Sequence, residues 1–237
     1  MYIGTNEGLV KQYKHDVPFH GVNGFNGIMH DRKAKINLQE ESAALGLIQL
    51  SKEYDIHLLC FAPLTNIAIA MKADPKFALR LKSIYAMGGN FHGIGNASIS
   101  GEFNFLCDPE SAYVVLRHTP QPIVLVPWEI CEEIEFSLVN CGMKKKLDHI
   151  LNYSFLQDWR KNVFGKIDDE RMKFLNTIEY PWYSDPVFRT RWVACDQLIM
   201  AVFLDDSCVA KTEKFWVKSF RFDLLLKIET NFCVGNG

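Results

Sequence analysis

The chain has 237 residues, 48% of them hydrophobic and 23% charged, with a formal net charge of −2, enough material to bury a core within one large domain or most of one. The near-neutral balance, with Lys144, Lys145 and Lys146 as its longest basic run, excludes the basic surface that a nucleic-acid partner needs. Seven cysteines without a CxxC pair point to reduced thiols rather than a disulfide framework or zinc site. The absence of an apolar run of about 18 residues and of a signal-like N-terminus predicts a cytoplasmic protein without a membrane partner.

Helical and strand patterns alternate along the chain, which predicts an α/β fold with an open, mostly parallel sheet flanked by helices. "EESAALGLIQLSKEYD" (40–55) carries helical spacing, and "IHLLCFA" (56–62) is a continuous apolar run closed by Pro63, the pattern of a buried parallel strand. "LTNIAIAMKAD" reads as a helix. "DPKFALRLK" reads as another, capped by Asp74 with Pro75 in its first turn, and "SIYAMGG" (83–89) as the next strand. Asp108 and Pro109 repeat that cap ahead of "ESAYVVLRHT", before the strand "QPIVLVPW" (121–128). Residues 129–180 read as largely helical, and "FRTRWVACDQLIMAVFLDD" (188–206) as one more apolar helix.

Ligands of such sheets bind beyond the carboxyl ends of the strands. "APLTN" and "MGGNFHGIGN" fall there, and the second is no phosphate loop, because neither a Lys-Ser/Thr pair nor G-x-G-x-x-G spacing opens a helix. "GNASISGEFNFLCDPESA" (95–112) then places Glu102 and Asn104 two apart on what reads as a short extended piece ending at a helix cap. In an extended segment both would point to one side, a polar fork for one ligand. Taken singly, the glycines read equally as turn residues, the fork as a solvated loop edge, Met87 as strand core and Asp196 as a helix cap.

Together these stretches resemble the inosine-uridine preferring nucleoside hydrolase family. "HGVNGFNGI", "FAPLTNIAIAMKADPKFALRLKSIYAMGGN", "GNASISGEFNFLCDPESAYVVL" and "ACDQLIMAVFLDD" stand in the family's order. The resemblance implies hydrolysis of the N-glycosidic bond of ribonucleosides with a bound calcium ion, and possible assembly into homo-oligomers. It places Asn96, Glu102 and Asn104 on the ribose hydroxyls and Met87 near sugar and base. It gives calcium the carboxylate of Asp196 and the backbone carbonyl of Phe61.

Two departures shape the expectations. Many members carry His where this chain has Cys195, and a thiol near pKa 8.5 is a poorer acid at neutral pH than an imidazolium near 6.5. Cys195 and His20 are therefore the candidates on the leaving-group side. The family's opening D-x-D-x-x-x-D-D strand, source of most calcium carboxylates and of the general base, has no match here. The reading is thus of a domain over 1–210, incomplete at both ends, with a divergent tail over 211–237. Weak or absent calcium and impaired turnover are expected. The alternative is a non-catalytic ribose-binding, nucleoside-binding or interaction remnant of the same scaffold.

Overall fold

The computed structural model describes residues 1–10, 20–28, 36–132, 160–184 and 193–209. The expected tail over 211–237 lies outside these residues. The chain divides into two compact units, one of residues 1–13, 36–133 and 194–237, the other of 14–35 and 134–193.

Among the described residues, the first unit is built on three parallel strands, β1 (Ile56–Cys60), β2 (Leu81–Met87) and β3 (Val124–Val126), in the order β1-β2-β3. Register runs from Ile56 opposite Leu81 to Cys60 opposite Ala86, and from Tyr85 opposite Val124 to Met87 opposite Val126. The described helices of this unit are α1 (Ala43–Glu53), α2 (Thr65–Ala73), α3 (Phe77–Arg80), α4 (Phe103–Cys107), α5 (Pro109–His118), α6 (Trp128–Glu132) and, much later, α8 (Cys195–Leu204). Helices thus separate successive parallel strands, as parallel pairing requires.

Strand alternation sorts the two faces of the sheet. Leu58, Cys60, Ile84, Ala86 and Leu125 join a core with Ile48, Ala68, Met71, Phe77 and Val115 from the helices. Ile84, Phe77 and Val115 have no exposed surface, and each such aliphatic or aromatic burial is worth about 1.5–3 kcal/mol. On the opposite face His57 and Tyr85 meet the ring of Phe203 on α8, at 5.5 and 5.4 Å between centroids. This second face of β1 is only partly covered, with His57 exposed and Leu59 half-buried, so of the run 56–60 only Leu58 and Cys60 are fully buried.

Several segments differ from their predicted extents: β2 spans Leu81–Met87 rather than 83–89, β1 ends at Cys60 rather than at residue 62, and the described part of the last helix is Cys195–Leu204. The helix expected over 74–82 shrinks to α3, because the Asp74 carbonyl accepts the Phe77 amide and the chain is already extended at Leu81, the first residue of β2. The strand expected over 121–128 is only Val124–Val126; Pro127 cannot donate to a ladder, and Trp128 opens α6.

The second unit is described over 20–28, 160–184 and at Val193. It contains a turn with Asn26 at φ 52°, a short 3₁₀ segment (Phe164–Lys166) and α7 (Glu170–Ser184). The Asn26 amide nitrogen donates to the Ile178 carbonyl at 2.9 Å, and Phe25 packs on Phe174. Arg160, with no exposed surface, donates to Asn176 at 2.8 Å and pairs with Glu179 at 2.8 Å. Among the described residues no helix is long and apolar enough to cross a membrane.

Candidate active site

The carboxyl ends of β2 and β3 carry the polar residues that the sequence singled out. Beyond Met87 the two strands stay joined: the Gly88 amide donates to the Val126 carbonyl at 3.1 Å, and the Trp128 amide to the Gly89 carbonyl at 2.9 Å. Gly88 has no room for a side chain, since a Cβ there would lie 2.5 Å from the Phe105 ring. Gly89 has φ +72°, a left-handed conformation that costs glycine little.

Glu102 and Asn104 do not lie on one extended piece. Glu102 is extended, with φ −76° and ψ 145°, but it is the N-cap of α4, and Asn104 already stands in that helix. The reason is local: a cap whose carboxylate accepts the second and third amides of a helix starts the helix directly after itself. Glu102 accepts from the amides of Asn104 at 2.8 Å and Phe105 at 3.0 Å, and a third bond at 2.8 Å comes from Gly89. The two residues still converge, because the Asn104 amide nitrogen donates to the Met87 carbonyl at 3.1 Å and to its sulfur at 3.4 Å. Met87 is thus both strand core and part of this polar floor.

Asn96 enters from the preceding loop. Its side-chain oxygen accepts the Phe103 amide at 2.7 Å, adding a second tie at the start of α4. Asn96 is exposed, whereas Glu102 and Asn104 are buried, at 2% and 7% exposure. Burial pushes the Glu102 carboxyl above its ordinary range; the three amide donors pull the other way, and the negative charge of Asp196 adds to the rise.

That last influence brings α8 to the site. Cys195 and Asp196 form its first turn behind Ala194, which supplies no side-chain cap, and α8 packs against β2, β3 and α6. Asp196 is exposed at this helix start rather than acting as its cap. The Cys131 thiol on α6 shares a hydrogen bond with Cys195, and that bond followed by burial drives the Cys131 thiol far upward, with Glu102 and Asp196 contributing. Cys195 therefore has a neutral thiol neighbour. Phe61 directly follows β1 and is 38% exposed. His20 belongs to the second unit, where its carbonyl accepts the Asn26 amide at 2.8 Å.

Two buried carboxylates of this region make contacts that the sequence does not signal. Glu129, 2% exposed on α6, accepts the amides of Phe91, His92 and Ile94. In the sequence it is one acid at a helix start, with nothing to link it to a loop nearly forty residues earlier. Asp108 does cap α5 through Ser111 as predicted, but it also accepts from the Leu9 amide at 3.0 Å and the Thr65 hydroxyl at 2.5 Å.

Among the described residues no group of three or more His, Cys, Asp or Glu side chains could hold a metal ion. Calcium takes six to eight oxygens; Glu102 and Asp108 are each engaged by hydrogen-bond donors, so Asp196 with a single carbonyl falls short of that set.

The inosine-uridine preferring nucleoside hydrolase family model matches residues 1–230. The chain belongs to this family. A similar relative is "Probable uridine nucleosidase 2" of Oryza sativa subsp. japonica, 39% identical over 171 residues that cover 68% of this chain and 50% of the relative. Another is "Uridine nucleosidase 1" of Arabidopsis thaliana, 32% identical over 173 residues, 67% of this chain and 51% of the relative. The chain thus spans about half the length of these curated relatives. Among solved structures, a plant nucleoside hydrolase, the PpNRh1 enzyme, superposes with a TM-score of 0.72 at 21% identity, covering 97% of this chain and 67% of that one. A purine-preferring ribonucleoside hydrolase from Gardnerella vaginalis superposes at 0.70 and 21% identity, covering 92% and 65%. These superpositions bear out the open parallel α/β sheet expected for this family member.

Proposed function

We propose that this chain serves the hydrolysis of the N-glycosidic bond of ribonucleosides, with the sugar seated on Asn96, Glu102 and Asn104. The observation that carries the reading is how the hydrogen-bonding capacity of these three is divided. A carboxylate offers about four lone-pair positions, and three on Glu102 are taken by amides, leaving one to accept a hydroxyl proton. Asn104 spends its amide nitrogen on Met87 and has its oxygen left as an acceptor. Asn96 spends its oxygen on Phe103 and has its exposed nitrogen left as a donor. Ribose hydroxyls both donate and accept, so this set complements several of them and penalises a sugar that lacks one.

The residues act by position. Glu102 and Asn104 are held by backbone bonds before a ligand arrives, so little ordering remains to be done on binding. Cys195, at the start of α8, is the proposed group on the leaving-base side, with His20 as the second candidate. The family resemblance adds calcium, for which Asp196 and the Phe61 carbonyl are the proposed donors. These two do not make a full shell, and no step here runs through the ion. The free thiols of Cys60, Cys107, Cys131 and Cys195 accord with a reducing, cytoplasmic setting.

The test is to titrate the purified chain with inosine and uridine by calorimetry while following ribose release by a reducing-sugar assay. Expected are binding of a ribonucleoside and turnover above the uncatalysed background, both weakened at least tenfold in Asn104→Ala. A chain that binds and cleaves neither nucleoside, or an Asn104→Ala variant indistinguishable from the parent, would overturn the reading.

A further inference from the structure

The loop that carries Asn96 is held by a carboxylate outside it. Between β2 and α4 the chain runs through "GGNFHGIGNASISG" (88–101), with no helix or strand of its own. Such a stretch has many conformations to lose, so something must select one. Glu129 does this from the first turn of α6. The Phe91 amide lies 2.8 Å from both of its oxygens, and the His92 and Ile94 amides lie 2.7 and 3.4 Å from one of them. Gly93, at φ +74°, lets the chain curl so that these N–H groups face one point. Successive amides arranged in this way form a concavity for an anion, and here the protein fills it with its own side chain.

The neighbouring ties extend the same frame. Glu102 holds the Gly89 amide, and the Asn90 amide nitrogen donates to the Ser100 carbonyl at 2.6 Å. The Gly95 amide donates to Ile99, and those of Ala97 and Ser98 donate to Gly101. The Asn90 side-chain oxygen is buried without a partner among the described residues, an arrangement the loop would relax if it were free to do so. Resting on the proposed ribonucleoside reading, we infer that Glu129 is a positioning residue: by filling the concavity of Phe91, His92 and Ile94 it fixes where Asn96 meets the sugar. It touches neither sugar nor base itself.

The experiment compares the full chain with Glu129→Ala and the size-preserving Glu129→Gln. Amide hydrogen exchange is followed by mass spectrometry and inosine affinity by calorimetry. In the parent, peptides covering 90–95 should be protected. In Glu129→Ala they should exchange at least tenfold faster, while peptides of β2, β3 and α5 keep their rates. Inosine should bind about tenfold more weakly. Glu129→Gln, with one acceptor oxygen and no charge, should fall between. Protection of 90–95 that survives in both variants overturns the inference, as does loss of protection through β2 and β3 as well, which would make Glu129 a general fold residue. Loop protection lost with inosine affinity unchanged also overturns it. A parent chain that binds no inosine defeats the ribonucleoside reading instead, and the exchange data still decide whether Glu129 holds the loop.

Discussion

Replacing Glu102 by Ala removes the partner of three backbone amides at once. Two of them, Asn104 and Phe105, are the second and third amides of α4, which a helix cannot satisfy internally; losing an N-cap of this kind costs about 1 kcal/mol, within roughly 0.5–2. The third, on Gly89, belongs to a buried residue, and a buried donor left unmade costs about 1–3 kcal/mol. The sum is about 2–4 kcal/mol, reduced to the extent that water enters the space left behind. Against a domain stability of about 5–15 kcal/mol this is a large loss. Urea denaturation followed by tryptophan fluorescence should show the midpoint falling with an unchanged slope. The same residue makes stability depend on pH. Burial raises its carboxyl value in the folded chain, so its contribution is fully present below the ordinary carboxyl range and declines as pH rises through the raised folded value. Glu102→Gln should abolish that part of the slope. A Glu102→Ala chain within about 0.5 kcal/mol of the parent, the range of ordinary surface changes, would refute the account of α4 and its cap.

Asp108→Ala should cost about 2–4 kcal/mol in the same measurement, since it strips the α5 cap and leaves the Leu9 amide and Thr65 hydroxyl without their acceptor. Gly88→Ala should lose about 1–3 kcal/mol, the usual range for forcing extra atoms into packed space, because its Cβ would meet the Phe105 ring; Phe105→Leu in the same chain should recover part of it. Burial pushes the Cys60 thiol up to about 12 and the Cys107 thiol up to about 11, so neither should be alkylated by iodoacetamide near neutral pH in the folded chain, as peptide mass mapping would show. Cys195→His places an imidazole on the proposed leaving-base side and should raise inosine turnover, up to the roughly 10²-fold lower end of what general acid–base assistance supplies; unchanged turnover would remove Cys195 from that role.

Local rules sufficed where the signal was local. The apolar run at 56–60, the alternation of helix and strand, and the Asp108-Pro109 start of α5 could be read because core-facing apolar residues and helix capping leave marks within a few residues. Asn96, Glu102 and Asn104 could be singled out through their motif, and all three follow β2 in the chain. The form of that segment could not be read in the same way. Glu102 and Asn104 two apart suggested an extended fork, but Glu102 caps α4 through the Asn104 and Phe105 amides and so places Asn104 inside the helix, while its third partner, the Gly89 amide, lies 13 positions earlier. Glu129 shows the same limit more sharply, for its partners lie 35 to 38 positions earlier and meet it only because β2 and β3 are neighbours in the sheet. Cys131 meets Cys195 across a still longer stretch of chain, through the packing of α8 on α6. The chemistry of each side chain was determined by the sequence alone; which amide, thiol or carboxylate it faces was decided by strand order, because parallel pairing gathers distant loops at one edge of the sheet.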